Sequence, residues 1–252
     1  SAATLTAIVA GSLPARSGRP VGVVIRLIAS GECPSSARRT RNRLHFADVS
    51  RRQARATLAS MTDRRLLSRL PRVVGGVRAG SAGFVYMLDV AGRRLDDSGG
   101  RITRPWPVGG PFLAHSLAVT ELYTALVERV RRSGGQRLDF RTEPACWRSL
   151  TGRGGGREVL KPDAEIVLAD DQFEDRWFCE VDRATESRPT LGRKLDRYVQ
   201  YWRTGQEQAR TEVFPKVLWI VPDEKRHDFL VDLFGRQPVE AWPLFTVATE
   251  AQ

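Results

Sequence analysis

The chain has 252 residues, which fits one large domain or two modest ones with real hydrophobic cores. No apolar run reaches the roughly 18 residues of a membrane span, and the N-terminal apolar stretch lacks a preceding basic region. We therefore expect neither a membrane protein nor a secretory signal. Three scattered cysteines without CxxC spacing predict neither a disulfide framework nor a zinc site, and favour the reducing cytoplasm.

The net charge of +11 is distributed unevenly along the chain. Residues 1–110 carry 19 arginines and 6 acidic residues, whereas residues 111–252 carry 21 lysines and arginines against 23 acidic residues. A genome-wide preference for arginine would explain the scarcity of lysine, but not the shortage of acidic residues in one half. The asymmetry indicates a nucleic-acid-binding first half joined to a nearly neutral second half.

Three helical segments are predicted at the start of the chain. The first two cover residues 21–32 and 35–47. The third begins at Ser50, a good N-cap residue with Gln53 in the capping-box position. Apolar residues then recur at helical spacing and close the segment, namely Ala54, Leu58, Met61, Leu66 and Leu67.

A short basic hairpin is predicted next, from residues 73–74 and 84–86 on either side of a Gly-rich turn. Helices followed by a basic helix and a basic hairpin are the layout of a winged helix-turn-helix. In that layout the helix from Ser50 enters the major groove. We predict such a domain over residues 1–95; the alternative is a helical dimerisation domain with a solvated arginine face. The candidate DNA-binding residues are Arg38, Arg39, Arg51, Arg52, Arg55, Arg72 and Arg78.

A linker and a second domain are predicted after the hairpin. Residues 96–111 are rich in glycine and proline and show no periodicity, which is typical of a linker. Residues 112–252 then predict a helix, three strands, a helix, a strand, a helix and a last strand. This order indicates a mixed sheet flanked by helices, so we expect an α/β (α+β) fold behind the winged helix.

Carboxylates lie at the ends of two neighbouring predicted strands, at Asp163, Glu180 and Asp182. In an antiparallel pair, Asp163 and Glu180 can lie close together on one face. Oxygen ligands gathered there suit Mg²⁺ or Mn²⁺, which bind phosphate oxygens and activate water. Alternatively, Asp163 is a simple turn acid, and Glu180 and Asp182 pair with Arg183 or Arg176. Two like charges on one strand face are unfavourable without a cation, which favours a metal or a basic partner.

The second domain resembles the PD-(D/E)XK nuclease superfamily. The resemblance lies in the strand order and in two motifs, Pro162-Asp163 and Glu180-Val181-Asp182. The resemblance implies that Asp163 and Glu180 bind the metal ion. Asp182, at the end of the same strand as Glu180, is a further candidate catalytic residue. In the superfamily a lysine two residues after the glutamate assists the attacking water, and here Asp182 occupies that position. Lys194, on the following helix, is the candidate for a relocated lysine, and Lys161 is a poorer one. The alternative is a degenerate site that only binds.

Several segments together resemble the replication-relaxation family of plasmids and integrative mobile elements in high-GC Gram-positive bacteria. They are LHFADVSRRQARATL, GGVRAGSAGFVYML, FLAHSLAVTELYTAL, PDAEIVL, FCEVDRATES and KLDRYVQYW, within residues 40–205. The resemblance implies a winged helix joined to a nuclease-like domain that acts in replication, relaxation or mobilisation of the element.

Two functions remain open on this evidence. The first is a Mg²⁺- or Mn²⁺-dependent DNA endonuclease. The alternative is a non-catalytic replication accessory or transcription regulator that keeps a degenerate nuclease fold. Both imply DNA as a partner, a cytoplasmic location at the nucleoid or plasmid, replication or mobilisation proteins as further partners, and a homodimer, which many winged-helix proteins form.

Overall fold

The chain forms two compact units, Ser1–Ser133 and Gly134–Gln252. The helix predicted from residue 112 falls in the first unit, whereas the sequence pattern assigns it to the second domain. The predicted limits 1–95, 96–111 and 112–252 stay a prediction. The computed structural model describes residues 13–14, 20–21, 24–27, 51–70, 84–95, 110–134, 137–152 and 154–250.

The first unit contains a three-stranded antiparallel sheet with β5 in the centre, flanked by β3 and β4. A separate two-residue ladder joins β1 to β2. The elements are β1 (Leu13–Pro14), β2 (Pro20–Val21), β3 (Val24–Leu27), α1 (Arg51–Asp63), β4 (Leu67–Arg69), β5 (Phe84–Leu88), α2 (Val90–Leu95) and α3 (Gly110–Ser133).

Helix α1 packs its apolar stripe against this sheet. Ala54 and Leu58 are buried one helical turn apart, and Leu58 joins Leu67, Tyr86 and Leu88 in a small core. The helix ends because Arg65 adopts the left-handed conformation, with φ of 59°, and turns the chain directly into β4.

Two local predictions in this unit are wrong. Residues 24–27 form a strand where we predicted a helix, since their β-branched Val and Ile pair with β5. Leu67, predicted to close the long helix, begins β4, the strand that pairs with Phe84–Leu88. The segments 35–47 and 73–74 lie outside the described residues, so the winged helix stays a prediction.

The second unit confirms the predicted mixed sheet flanked by helices. Its strand order is β12-β11-β10-β9-β6, antiparallel on the β6–β9–β10 side and parallel from β10 to β12. A separate hairpin pairs β7 with β8. The strands are β6 (Arg137–Thr142), β7 (Arg148–Thr151), β8 (Arg157–Leu160), β9 (Ala164–Ala169), β10 (Glu174–Val181), β11 (Lys216–Val221) and β12 (Phe245–Thr249).

The helices of this unit pack an apolar core onto the sheet. The main helix buries Leu191, Leu195 and Tyr198 at three- and four-residue spacing, and they join Phe178 and Trp219 from the strands. Each such side chain contributes about 1.5–3 kcal/mol by leaving water. The helices are α4 (Arg188–Arg203), α5 (Gln206–Thr211) and α6 (Glu224–Phe234), followed by a 3₁₀ helix (Val239–Leu244).

The break between β8 and β9 places Asp163 at one end of the sheet. Strand β8 ends at Leu160 and β9 begins at Ala164, so Asp163 lies at the entrance of β9. Ala164 pairs with Cys179 across the antiparallel ladder. No helix in the described part of the chain is long and apolar enough to cross a membrane.

Candidate active site

Asp163 and Glu180 meet where β9 begins and β10 ends. The backbone N–H of Asp163 donates to the Cys179 oxygen at 3.0 Å, and Asp163 Oδ2 accepts from the backbone N–H of Val181 at 2.7 Å. Asp163 therefore lies beside Glu180, with both residues buried at 8% and 1% exposure. The antiparallel register brings together the two acids that the sequence placed on separate strands.

The ammonium of Lys194 reaches this pair from α4. Lys194 Nζ lies 2.6 Å from Glu180 Oε2, and the Tyr198 hydroxyl donates to Glu180 Oε1 at 2.5 Å. Lys194 and Tyr198 are four residues apart on one face of α4, so this helix supplies both contacts to Glu180. Lys194 Nζ also lies 5.3 Å from the ring centroid of Trp219, within cation–π range. The helical lysine thus occupies the neighbourhood expected for a relocated lysine.

Burial and charge set the protonation of this group of side chains. Burial raises the pKa of Glu180 above its ordinary value, and Asp163 reinforces the shift, while Lys194 and Tyr198 oppose it. Burial lowers the pKa of Lys194, but Glu180, Asp163 and Glu186 raise it more, so the net shift is upward. Lys194 therefore stays protonated at neutral pH, and the site holds a fixed positive charge between carboxyl groups.

Asp182 points to another partner. Its two carboxylate oxygens accept from Arg226 Nε and Nη2 at 2.6 and 3.1 Å, and its Oδ1 also accepts from the backbone N–H of Ala184. The structure thus places Asp182 in an ion pair with α6, and does not bring it into the contacts that join Glu180 and Lys194. The poorer lysine candidate, Lys161, is exposed and stacks 4.3 Å from the ring centroid of Trp147.

A buried charged network beside the site escaped the sequence analysis. Arg148 donates to Glu165 Oε1 at 2.7 Å and to Glu207 Oε2 at 2.9 Å. Tyr201 and Arg210 also donate to Glu207, and both glutamates are almost fully buried. The signal that could have revealed it is Glu165, an acid two residues after Asp163 on a strand otherwise apolar from Ala164 to Ala169.

Arg148 also connects this network to the backbone that carries Asp163. Its Nη1 donates to the Cys146 oxygen at 2.9 Å, and the Cys146 thiol donates to the Pro162 oxygen at 3.0 Å. Burial, followed by the nearby carboxylates, raises the pKa of the Cys146 thiol, so it remains a neutral hydrogen-bond donor. The network therefore helps to fix the Pro162-Asp163 peptide.

Two carboxylates could serve a small divalent cation only if it takes few protein ligands. Among the described residues, no group of three or more His, Cys, Asp and Glu side chains could hold a metal. Mg²⁺ commonly uses one or two carboxylates and keeps several waters. Among the described side chains, Glu180 Oε2 is buried without a well-formed hydrogen bond, and its neighbour is the charged Nζ of Lys194. Asp163 and Glu180 could therefore hold Mg²⁺ or Mn²⁺, provided that Lys194 Nζ moves away from Glu180 Oε2.

The candidate DNA-binding arginines are only partly described. Arg52 and Arg55 are exposed on α1, whereas Ala54 and Leu58 of the same helix are buried. Arg51 begins the same helix. This arrangement leaves a basic face on α1, and its contact with DNA stays a prediction. Outside the described residues lie Arg38, Arg39, Arg72 and Arg78.

Comparison with known proteins matches the chain to a family model. Residues 37–217 match the model of a protein family described as replication-relaxation. No curated protein and no solved structure matches the chain significantly. The matched range includes Asp163, Glu180 and Lys194, and it extends into β11.

Proposed function

The chain belongs to the replication-relaxation family, and from this membership and the site geometry we propose that it acts on DNA during replication, relaxation or mobilisation of a plasmid or integrative element. Its second unit would carry a Mg²⁺- or Mn²⁺-dependent DNA phosphodiesterase site. The observation that supports this most is the contact between Lys194 Nζ and Glu180 Oε2, at 2.6 Å beside Asp163.

Each side chain of the site has a chemical role in this proposal. Asp163 and Glu180 would hold the divalent cation, which supplies an activated water and neutralises charge on the phosphate. Tyr198 orients the Glu180 carboxylate through its hydroxyl. Lys194 keeps its proton and donates from Nζ to the attacking water or to a phosphate oxygen. Because the carboxylates are buried, these interactions are stronger than they would be in water.

The backbone around Asp163 is suited to hold that carboxylate still. Oδ2 accepts from Val181 N, and the preceding Pro162 oxygen accepts from the Cys146 thiol. A cation ligand fixed before the substrate arrives needs no reorganisation during the reaction. The exposed face of α1, with Arg52 and Arg55, would supply sequence-independent phosphate contacts in this proposal.

A non-catalytic DNA-binding role is the second candidate, and one observation favours it. Both oxygens of Glu180 are already engaged, by Tyr198 and Lys194, at 1% residue exposure. A glutamate already paired with an ammonium in this way could leave the nuclease-like fold for binding alone. In that role the protein would be a replication accessory or a transcription regulator, and a homodimer would present two basic α1 helices.

A nuclease assay separates the two candidates. Supercoiled, linear and single-stranded DNA would be incubated with Mg²⁺ or Mn²⁺ and wild-type protein, or with Asp163→Asn, Glu180→Gln or Lys194→Ala. Lys161→Ala is the matched control, because that lysine is exposed and stacks on Trp147.

We expect cleavage by wild type and by the Lys161→Ala control, and loss of cleavage in the three site variants. Intact DNA binding without any cleavage by wild type would instead support the non-catalytic role. Cleavage that survives in Asp163→Asn would place the active site elsewhere.

A further inference from the structure

The loop between β10 and α4 is fixed to α6 by one arginine. Arg226 binds both carboxylate oxygens of Asp182, and its Nη2 also donates to the main-chain oxygen of Glu186 at 3.0 Å. The guanidinium is well placed for this double role, since it presents several donors in a fixed plane. Asp182 Oδ1 also accepts from the backbone N–H of Ala184 at 2.8 Å. This contact holds Ala184 in the left-handed conformation, with φ of 58°.

These contacts fix the backbone of Glu186, and its side chain extends toward Lys194. Lys194 Nζ lies 3.9 Å from Glu186 Oε2, farther than the 2.6 Å that separates it from Glu180 Oε2. The Glu180 side chain is 1% exposed, whereas that of Glu186 is 37% exposed. The ammonium therefore has one buried and one solvent-accessible carboxylate within reach.

A divalent cation and the ammonium of Lys194 would compete for the same atom. Glu180 Oε2 is the atom that faces Nζ at 2.6 Å. Two cations that share one buried oxygen would repel each other strongly at low dielectric. Lys194 must therefore move when Glu180 binds a metal ion, and it stays near the site only if another acceptor receives it.

We infer that Glu186 is this second acceptor, and that it retains Lys194 at the site when Glu180 binds a divalent cation. The inference rests on the proposed function, because it concerns the same metal site. Arg226 and Asp182 are then positioning residues that act through Glu186. The ion pair between Asp182 and Arg226 then positions Glu186, and Asp182 is not a metal ligand.

A double-mutant cycle on the full chain tests the inference without any need for catalysis. Mn²⁺ affinity would be measured by isothermal titration calorimetry for wild type, Glu186→Gln, Lys194→Met and the double variant. In the presence of Lys194, we expect Glu186→Gln to weaken Mn²⁺ binding about fivefold, the upper range for a partly exposed ion pair. In the Lys194→Met background the same substitution should have no measurable effect, because no ammonium needs an acceptor.

Asp196→Asn is the control for charge alone. Asp196 is exposed on α4, two residues after Lys194, so its loss removes one negative charge near the site. We expect that variant to change Mn²⁺ affinity equally with and without Lys194. Glu186→Asp, which keeps the charge, should recover part of the lost affinity.

Equal weakening by Glu186→Gln in both backgrounds would overturn the inference, because Glu186 would then act only as a general negative charge. Failure of the wild type to bind Mn²⁺ would overturn the metal site itself, together with the inference. The two failures are therefore distinguishable in one set of titrations.

Discussion

Replacing Arg148 by methionine should destabilise the second unit strongly. The guanidinium lies 2.7 Å from Glu165 Oε1 and 2.9 Å from Glu207 Oε2, and these glutamates are 1% and 0% exposed. Without it, two buried carboxylates depend mainly on Arg210. Removal of one partner from a buried ion pair costs about 3–5 kcal/mol. That is a large fraction of the about 5–15 kcal/mol that stabilises a typical domain.

Urea unfolding followed by tryptophan fluorescence measures this loss in the second unit. Five of the six tryptophans lie after residue 134, so the signal reports mainly on that unit. Arg203→Met is the matched control, because Arg203 also pairs with a glutamate at 2.7 Å, but both side chains are about half exposed. We expect the control to cost less than about 1 kcal/mol. Equal losses in both variants would refute the role assigned to the buried network.

Three further predictions concern pH, the metal and DNA. Burial alone would raise the pKa of Glu207, but hydrogen bonds from Arg148, Arg210 and Tyr201 outweigh it and lower the pKa. The ionised Glu207 therefore stabilises the fold above its unfolded-state pKa of about 4.5. This stabilisation is lost as the pH falls through the lower pKa of the folded state. Glu207→Gln should therefore be destabilised in urea unfolding at pH 7, with the difference from wild type shrinking in acid; a constant difference would contradict the assignment. Asp182→Asn should lose no more Mn²⁺ affinity in calorimetry than Glu186→Gln does, because Asp182 acts through Glu186, while Glu180→Gln should lose binding; the reverse result would make Asp182 the ligand. The double variant Arg52→Ala/Arg55→Ala should weaken DNA binding. In fluorescence anisotropy at several salt concentrations, the slope of log K against log salt concentration should become shallower by about one for each lost phosphate contact. An unchanged slope would remove α1 from the interface.

The arrangement of the second unit could be predicted because its elements follow their local patterns. Buried strands such as Lys216–Val221 and the amphipathic helix Arg188–Arg203 bury the residues that their periodicity indicates. The antiparallel pair that unites Asp163 with Glu180 follows from the short connection between β9 and β10. Lys194 was within reach of prediction because lysines are rare in this chain, and it lies on the helix next to that pair.

Long-range partners could not be predicted in the same way. Nothing near Asp182 in the sequence indicates that Arg226, on a later helix, would be its partner. The pairing of Arg148 with Glu165 and Glu207 likewise depends on three elements that meet only in the folded unit. In the first unit, the β-branched residues at 24–27 form a strand because β5 offers an edge to pair with, and that edge belongs to a distant segment.

The most direct test of the metal site is the effect of Mn²⁺ on the melting temperature of the wild type and of Asp163→Asn. At a Mn²⁺ concentration 100-fold above Kd, binding to the folded state alone stabilises by about 2.7 kcal/mol. We predict a clear rise in Tm for the wild type and none for Asp163→Asn, with Mn²⁺-free Tm values as the reference. An equal rise in both proteins would contradict the assignment of Asp163 as a ligand, and no rise in either would contradict the metal site.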